Sequence, residues 1–408
     1  MTLRIAIVDL LFSWPPHGGA DVDVYHVAQG LRAQGHDARL LFVHDPSSWE
    51  RGQADPTALP FPAERISFSP GALTAGALVA RVQTSLDKWR PDFVLLTQGY
   101  FLKVPLMLAL RAYRVISRCY AHETACHRDI LWFKDGTPCP NEYRRTPEVC
   151  RACALESQRA AITQGRYTAW TREYIETQAW TPTFFRQFME AYQSLHAVIV
   201  TTEHMRGQIA GLCDRIHVIP HGVDADRFMP APNTTTNVAP VVFAPGRLED
   251  PAKGLDMLLG AARLLSDEER LFSLRATVPE GRSGPFWLQP VGKIPHHAMP
   301  AAYQQADIVV VPSLWDEPFG IVALEAMATS LPVCAARVGG LQDIVVHGET
   351  GMLFERDNVE ELAAVLRPLL DDAAMRRAQG AAGRDRVLAR YQWKTVLEQC
   401  YPPLFTLH

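Results

Sequence analysis

The chain has 408 residues, of which 48% are apolar and 21% charged, and this is the composition of a globular protein rather than a disordered or fibrous one. Because single hydrophobic cores stop growing near about 250–300 residues, the length predicts two domains. The net charge of −4 argues against a protein that binds nucleic acid through a strongly basic face. The sequence has no run of about 18 apolar residues that would predict a transmembrane helix, and it begins without a secretory signal, so we expect a cytoplasmic protein.

The first predicted elements form a strand–helix–strand unit. An apolar run over Leu3–Val8 predicts a strand, and a loop that contains Gly18 and Gly19 follows it. A helix is expected over about Ala20–Gln34 and a second strand over Ala38–Val43. Two strands and a helix within about 40 residues are typical of a parallel sheet.

The alternation of strands and helices continues along the chain with one interruption. Further strands are rich in Val, Ile and Leu, as buried parallel strands are; they are predicted at Phe93–Thr97, Val115–Tyr120, Ala197–Thr201, Ile216–Ile219, Val241–Ala244, Ile308–Pro312 and Pro332–Ala336. A helix is predicted over Gly320–Thr329, and the chain beyond Val359 is expected to be helical. The segment 124–195 has no such repeat and is interpreted as an insertion in the first domain. The Pro- and Thr-rich segment Pro230–Pro240 is interpreted as a linker.

Two cations lie on the loop Gly246–Gly254, which follows a predicted strand and opens a helix. The free N–H groups of a helix N-terminus attract anions, and the side chains of Arg247 and Lys253 would add positive charge there. Arg binds phosphate oxygens in pairs, and Lys acts as a point charge. For two isolated cations on a loop, however, a solvated surface is the more frequent arrangement.

Two glutamates flank the start of the next predicted helix. Glu317 precedes the helix and Glu325 lies within it, and helical side chains lean toward the N-terminus, so Glu325 should lean toward Glu317. Both would then face the carboxyl end of a parallel strand, where doubly wound sheets bind ligands. Carboxylates accept the paired hydrogen bonds of sugar diols. The alternative is that Glu325 is solvated and Glu317 caps the helix.

These two segments belong to a longer set that resembles a known family. Ile219–Phe228, Ala336–Val345 with its Gly339–Gly340 pair, and His347–Phe354 follow in the same order and spacing. Together the segments resemble the retaining glycosyltransferases of family 4, most closely over 219–357. The resemblance implies an α/β protein with the GT-B fold, in which two Rossmann-like, doubly wound parallel-sheet domains face a cleft. The first domain would comprise 1–220, the second 221–392, and a helix over 393–408 would pack back on the first domain.

The resemblance also implies what the protein binds. A nucleotide-sugar donor would bind mainly to the second domain, and an acceptor mainly to the first. By this resemblance, Arg247 and Lys253 would neutralise the donor diphosphate, and Glu325 would bind the ribose hydroxyls. Glu317 and the backbone of Phe319, Gly320 and Ile321 would hold the transferred sugar and the β-phosphate. Gly18 and Gly19 match the family's glycine-rich loop after the first strand, and His122 matches the histidine that contacts the donor sugar. Without the resemblance, a lone His after a strand is usually a hydrogen-bonded core residue.

Charge accounts for part of the implied mechanism. Cleavage of the glycosyl–phosphate bond places negative charge on the leaving diphosphate, which Arg247, Lys253 and helix N–H groups would stabilise. We therefore expect no catalytic metal ion. The Asp-x-Asp letters at Asp21–Asp23 and Asp224–Asp226 lie in the wrong context for a metal motif. The family's usual proposal is front-face attack, in which the diphosphate itself takes the acceptor proton.

The sequence narrows the substrates only partly. Between Leu271 and Gly292 a helix that the family usually carries is shortened or missing, and this segment borders the pocket for the base. A UDP-sugar is favoured over a GDP- or ADP-sugar, and a glycan, a lipid-linked sugar or a small molecule would each serve as acceptor. The arginines Arg111, Arg114 and Arg118 are interpreted either as a solvated basic face or as a peripheral membrane contact.

The predicted insertion contains four cysteines and many aromatic residues. Cys126, Cys139, Cys150 and Cys153 are interpreted either as ligands of a structural zinc ion or as ordinary reduced thiols. The aromatic stretch Tyr167–Tyr192 is interpreted as the core of an extra helical unit rather than as a lid over the acceptor.

Three other functions are compatible with parts of the sequence. A glycogen-type synthase or a sugar phosphorylase would use the same fold, although the length and the lack of a pyridoxal-lysine motif disfavour a phosphorylase. A dinucleotide-dependent dehydrogenase is disfavoured because the first loop does not match Gly-x-Gly-x-x-Gly. A non-catalytic adaptor that binds a nucleotide sugar would retain every proposed donor contact.

Overall fold

The computed structural model describes residues 2–47, 51–232 and 239–406. The strands of these residues are, in chain order, β1 (Arg4–Asp9), β2 (Asp37–His44), β3 (Ala63–Ser67), β4 (Phe93–Leu96), β5 (Arg114–Arg118), β6 (Phe133–Lys134), β7 (Thr137–Pro138), β8 (Ala197–Val200), β9 (Ile216–Val218), β10 (Val241–Ala244), β11 (Ser273–Ala276), β12 (Leu288–Pro290), β13 (Ile308–Val311), β14 (Val333–Ala336) and β15 (Gly351–Phe354). The helices are α1 (Gly19–Ala33), α2 (Ala75–Trp89), α3 (Lys103–Ala109), α4 (Pro147–Thr163), α5 (Ala169–Glu176), α6 (Pro182–Gln193), α7 (Glu203–Gln208), α8 (Leu255–Asp267), α9 (Met299–Gln304), α10 (Ile321–Ala328), α11 (Leu341–Ile344), α12 (Val359–Asp371), α13 (Ala373–Arg390) and α14 (Trp393–Cys400).

The chain forms two compact units. The first comprises the described residues of 1–132, 140–219 and 397–408, and the second those of 133–139 and 220–396. The predicted insertion over 124–195 therefore lies in the first unit except for the β6–β7 hairpin. Residues 233–238, in the middle of the predicted linker, lie outside the described residues.

Each unit contains a parallel sheet, which confirms the predicted doubly wound α/β architecture. The first sheet has the order β3-β2-β1-β4-β5-β8-β9, and the second has the order β12-β11-β10-β13-β14-β15. The strand order reverses between β1 and β4 in the first sheet and between β10 and β13 in the second. Ligands of such sheets bind beyond the carboxyl ends of the strands at these reversal points.

The predicted strands are present, with ends that differ by one or two residues. Strand β3 was not predicted, because only Ile66 of its five residues is buried and the strand lies at the edge of the sheet. Between β11 and β12 the described chain has no helix, as predicted, and the two strands pair in parallel through an irregular loop. Within the described ranges, no helix combines the length and the apolar character that crossing a bilayer requires.

The insertion contributes three helices, α4 to α6, to the core of the first unit. Most of its aromatic side chains are buried, which confirms the core interpretation: Trp170, Tyr174, Phe184, Phe188 and Tyr192. Phe101, which follows β4, contacts several of these rings edge-on. Its ring centroid lies 4.8 Å from that of Trp170 and 5.3 Å from that of Tyr174. Tyr167, by contrast, is 45% exposed.

A buried ion pair joins the insertion to the carboxyl end of the first sheet. Glu173 of α5 accepts a hydrogen bond from Arg51, and each side chain is 1% exposed. The other carboxylate oxygen of Glu173 accepts the backbone N–H groups of Tyr100 and Leu102, at 3.0 and 2.8 Å, just after β4. Arg51 also donates to the carbonyl of Leu10, just after β1, at 2.8 Å. The pair therefore fixes α5 to the loops after both central strands.

The C-terminal segment packs on the first unit, as predicted. Helix α14 ends at Cys400 and a 3₁₀ turn over Pro402–Phe405 follows, so the described part of the predicted helix over 393–408 is broken once. Leu397 fills the space beside Gly30 of α1, where an added Cβ would lie 2.1 Å from its Cδ1. The hydroxyl of Tyr401 is 3.4 Å from the guanidinium of Arg118.

Arg118 corrects the prediction of a basic face. It is fully buried at the end of β5 and pairs with Asp23 at 2.7 Å. Both surface interpretations, solvated and membrane-bound, are therefore wrong for this residue. Arg111 is 42% exposed and pairs with Glu190 at 2.8 Å.

We predict that Glu173→Gln destabilises the protein by about 3–5 kcal/mol, because it leaves the Arg51 guanidinium buried without a counter-ion. Glu190→Gln is the matched control on the neighbouring insertion helix, and its exposed pair with Arg111 should be worth less than about 1 kcal/mol. Urea denaturation followed by circular dichroism measures both changes. Equal effects of the two substitutions would contradict the anchoring role of Glu173.

Candidate active site

Two loops meet at the reversal point of the second sheet. The loop after β10 holds Lys253 in a 3₁₀ turn over Pro251–Lys253, and Gly254 ends that turn at φ +73°. A Cβ on Gly254 would lie 1.9 Å from the carbonyl oxygen of Pro312, just after β13, so only glycine allows this approach. The amide of Leu314 donates to the carbonyl of Ala252 at 2.8 Å and holds the loops together.

Lys253 and Glu317 form an ion pair where these loops meet. The Nζ of Lys253 lies 2.6 Å from Oε1 of Glu317, and the hydroxyl of Ser313 donates to the same oxygen at 2.5 Å. Lys253 also lies 4.6 Å from the centroid of the Trp315 ring. Burial raises the pKa of Glu317, but the charge and hydrogen bond of Lys253 and the hydrogen bond of Ser313 outweigh it, so the pKa is lowered from its ordinary value. Glu317 is therefore an ionised, buried carboxylate, and the interpretation of it as a helix cap is wrong.

The Gly339–Gly340 pair fixes the backbone of Glu317. Gly339 has φ +46°, and a Cβ there would lie 2.2 Å from the carbonyl oxygen of Glu317 and 2.6 Å from its nitrogen. The amide of Gly340 donates to the same carbonyl at 2.6 Å. These glycines, which the sequence analysis recognised only as part of a motif, thus place the carboxylate.

Helix α10 begins beside this pair. Gly320 is its N-cap at φ +114°, and a Cβ there would lie 2.5 Å from Cδ2 of Leu341. The first intrahelical donors are Ala323 and Leu324, so the amides of Gly320 and Ile321 precede the hydrogen-bonded ladder, as at any helix N-terminus. Phe319 is buried, with its ring centroid 5.1 Å from that of His221.

Glu325 is buried in α10 with partners of its own. Its Oε2 accepts a hydrogen bond from the hydroxyl of Tyr303 at 2.9 Å, and its Oε1 lies 3.4 Å from Nε2 of His296. With 4% exposure it is not the solvated helix residue of the alternative interpretation. Neither Tyr303 nor His296 was predicted, since both lie on elements before β13 and nothing in the local pattern relates them to Glu325.

Arg247 differs from Lys253 in its surroundings. Its side chain is exposed, as the solvated interpretation predicted, and its carbonyl accepts the amide of Asp250 at 2.9 Å. Of the two predicted cations, Lys253 is therefore the one that the structure holds in place.

In the first unit, the glycine-rich loop is organised by Asp21. Its Oδ2 accepts the amides of His17 and Gly18 at 2.9 and 3.2 Å, and its Oδ1 accepts the amide of Ser13 at 3.1 Å. Gly18 has an extended backbone, and Gly19 begins α1. The amide of Gly18 is thus directed at a carboxylate of the protein itself, which the sequence analysis did not foresee.

A second buried carboxylate lies at the end of β1. Asp9 accepts the hydroxyl of Thr97 at 2.6 Å and the amide of Gln98 at 3.1 Å, while the side chain of Gln98 donates to Asp21 at 2.9 Å. Burial raises the pKa of Asp9 to about 6, and nearby Asp21 adds to this against the hydrogen bonds that Asp9 accepts. An acid directly after an apolar strand was the only sequence signal for Asp9.

His122 lies after β5 and is 2% exposed. Its amide donates to the carbonyl of Ile130 at 3.3 Å, and its ring centroid is 5.6 Å from that of Trp132. The next residue, Glu123, accepts the amide of Ala121 at 3.0 Å and lies 3.9 Å from the buried ammonium of Lys103.

The four cysteines do not form a ligand set in the structure. Among the residues that the structure describes, no three His, Cys, Asp or Glu side chains lie close enough to hold a metal ion. Cys139 belongs to the second compact unit and Cys126, Cys150 and Cys153 to the first. The residues present therefore do not fit a zinc ion, and none of the four cysteines takes part in a disulfide.

Two protein-family models match the chain. The model for Glycosyltransferase Family 4 matches residues 17–227, and the model for Glycosyl transferases group 1 matches residues 288–386. Together they cover Gly18, Gly19, His122, Glu317 and Glu325.

Curated relatives carry related names. The alpha-maltose-1-phosphate synthase of Mycolicibacterium smegmatis is 29% identical over 246 residues, which are 51% of this chain and 62% of that protein. The glycogen synthase of Mycobacterium tuberculosis is 26% identical over 95% of this chain and 92% of its own length. The chain spans less than two thirds of the first of these proteins and about half the length of other curated relatives that it matches.

The fold is shared with solved structures. HepE of Anabaena, in complex with UDP and glucose, superposes with a TM-score of 0.66 at 18% identity, over 99% of this chain and 100% of that one. At this identity the likeness shows the fold, which is the GT-B fold that the resemblance implied. Since the Glycosyltransferase Family 4 model alone spans more than half of the 408 residues, the chain belongs to glycosyltransferase family 4.

Proposed function

We propose that the protein transfers a sugar from a nucleoside-diphosphate sugar to an acceptor hydroxyl, with retention of the anomeric configuration. The observation that carries the proposal is the buried Lys253–Glu317 pair, which lies at the reversal point of the second sheet, beside the N-terminus of α10. This arrangement places a cation, helix N–H groups and an ionised carboxylate together. They are the groups that a diphosphate and a sugar need.

Lys253, Arg247 and the start of α10 would stabilise the leaving diphosphate. An ammonium has three N–H donors, and Lys253 uses one of them on Glu317, so others remain for phosphate oxygens. Arg247 is exposed and can move toward a bound ligand. Preorganised donors of this kind act where negative charge develops. We propose that these groups do so without a metal ion.

Glu317 would hold the transferred sugar. Its lowered pKa keeps it ionised, and a carboxylate has about four acceptor sites, of which Lys253 and Ser313 occupy part. Sugar hydroxyls would donate to the remaining sites, while the amides of Gly320 and Ile321 receive the β-phosphate. Glu325 would bind the ribose hydroxyls.

The first unit would supply the acceptor side. We propose that His122 contacts the donor sugar and that the loop with Gly18 and Gly19 lies near the acceptor. Front-face attack requires no covalent intermediate and therefore no nucleophilic side chain. In that mechanism the departing diphosphate oxygen takes the acceptor proton. A glycan, a lipid-linked sugar or a small molecule would serve as the acceptor.

We predict that a UDP-sugar stabilises the protein more than the corresponding GDP- or ADP-sugar. HepE of Anabaena, which shares the fold, was solved with UDP and glucose. At a ligand concentration 100 times the dissociation constant, binding adds about 2.7 kcal/mol to the free energy of unfolding. Thermal denaturation with each nucleotide sugar measures the shift in Tm. A larger shift with a GDP- or ADP-sugar would contradict the choice of uridine.

We predict that Lys253→Ala and Glu317→Ala each lower donor hydrolysis in the absence of acceptor by about 10²–10³-fold, because each removes a group that stabilises charge in the transition state. Lys394→Ala and Glu355→Ala are matched controls at exposed positions of the same chain and should leave the rate unchanged. Release of the nucleoside diphosphate is the readout. If the site variants hydrolyse the donor like the wild type, the chain is a binding protein rather than a transferase.

We predict that Gly339→Ala lowers transfer at least tenfold, because its Cβ would displace the backbone of Glu317. Gly348→Ala is the matched control: Gly348 also has a positive φ, +79°, but its Cβ would enter open space. The control should cost only the left-handed backbone strain of about 1–2 kcal/mol in stability and leave the rate intact. The transfer rate and the Tm of both variants are measured. Equal transfer rates would show that Gly339 does not position Glu317.

A further inference from the structure

Two side chains from outside α10, Tyr303 and His296, face the carboxylate of Glu325. Tyr303 of α9 has its hydroxyl 2.9 Å from Oε2 of Glu325 and 3.1 Å from the carbonyl of Val322. Burial raises the pKa of Tyr303 well above its ordinary value, and Glu325 adds to this, so the hydroxyl keeps its proton. Because both neighbouring oxygens are acceptors, Tyr303 is a donor here, and one end of the carboxylate is fixed.

His296 faces the other end of the carboxylate. Its Nε2 lies 3.4 Å from Oε1 of Glu325, and its Nδ1 lies 3.2 Å from a guanidinium nitrogen of Arg227. A guanidinium has only N–H donors, so Nδ1 must accept a hydrogen bond and the ring proton must be on Nε2. The ring proton of His296 is therefore on the nitrogen that lies 3.4 Å from Glu325, in ion-pair range of the carboxylate.

Arg227 fixes His296 at two points. One guanidinium nitrogen donates to the ring, and the other donates to the backbone carbonyl of His296 at 2.5 Å. The guanidinium carbon also lies 5.2 Å from the centroid of the neighbouring Phe228 ring. The ring of His296 thus cannot exchange its two nitrogens by flipping without the loss of the Arg227 hydrogen bond.

We propose that Arg227 and His296 are positioning residues that orient the Glu325 carboxylate for the two ribose hydroxyls of a nucleoside diphosphate. The proposal rests on the proposed function, in which Glu325 binds the ribose. Tyr303 is hydrogen-bonded to one oxygen of Glu325 and His296 lies 3.4 Å from the other, and a carboxylate oxygen that accepts one hydrogen bond can accept another. The side chain of His296 is 30% exposed, whereas that of Glu325 is 6% exposed, so the ring lies at the solvent side of the carboxylate.

The proposal predicts an effect that depends on the ribose hydroxyls. His296→Ala should weaken binding of the nucleoside diphosphate about tenfold, as the loss of one hydrogen bond to a charged group does. It should leave binding of the 2′,3′-dideoxy analogue unchanged, because that ligand does not use Glu325. Arg227→Ala should show the same pattern. His296→Gln should restore most of the affinity, since its amide can donate an N–H in place of Nε2.

These affinities are measured on the full chain by isothermal titration calorimetry. The ligands are UDP, GDP and ADP, and the 2′,3′-dideoxy analogue of each nucleoside diphosphate that binds. His297→Ala is the matched control, because His297 is exposed in the same 3₁₀ turn. In steady-state kinetics, His296→Ala should raise KM for the donor and change kcat less than about twofold.

The outcomes separate the two proposals. If the wild type binds none of the three nucleoside diphosphates, the proposed function fails and this inference fails with it. If the wild type binds and prefers the ribonucleotide but His296→Ala binds it equally well, only the positioning role is overturned. An equal loss of affinity for the ribonucleotide and its dideoxy analogue would also overturn that role, because it would indicate a general structural defect.

Discussion

The ion pair between Lys253 and Glu317 is the interaction on which the candidate site depends. A carboxylate buried to this degree is costly unless a partner keeps it charged, and the partner comes from the loop after the neighbouring strand. The loops after β10 and β13 approach closely only because Gly254 lacks a Cβ, and the loop after β14 approaches Glu317 only because Gly339 lacks one. A substitution of Lys253, Glu317, Gly254 or Gly339 should therefore change the positions of the other three residues.

Buried charge also organises the first unit, but there it serves the fold. Arg51 and Glu173 attach the helical insertion to the loops after β1 and β4, and Arg118 and Asp23 hold β5 against α1. Such pairs are expensive to break because each partner would be left in the interior without its counter-ion. The net charge of the chain therefore does not indicate how many of its charged side chains form buried ion pairs.

In the second unit, buried charge lies at the candidate site instead. Glu317 precedes α10 and Glu325 lies within it, and each accepts a hydrogen bond from a different element. The glutamates that the motif supplies would be poorly oriented without Ser313, Tyr303 and His296. The candidate site therefore includes more residues than those that the family pattern makes visible.

The sequence was sufficient to identify most strands of the two parallel sheets, the two α/β units and the family, because apolar runs and glycine positions act locally. It placed β10 at Val241–Ala244 without error and foresaw the missing helix between β11 and β12. Residue types alone gave a wrong prediction for Arg118, which is buried rather than part of a basic surface. They left open whether the four cysteines bind zinc or are ordinary thiols, and in the described residues these cysteines do not come together as a ligand set. The partners of Asp21, Glu173 and Glu325 likewise became visible only in the folded chain. The physical reason is that the protonation and orientation of a charged side chain depend on burial and on donors from distant segments, and the parallel sheets bring those segments together.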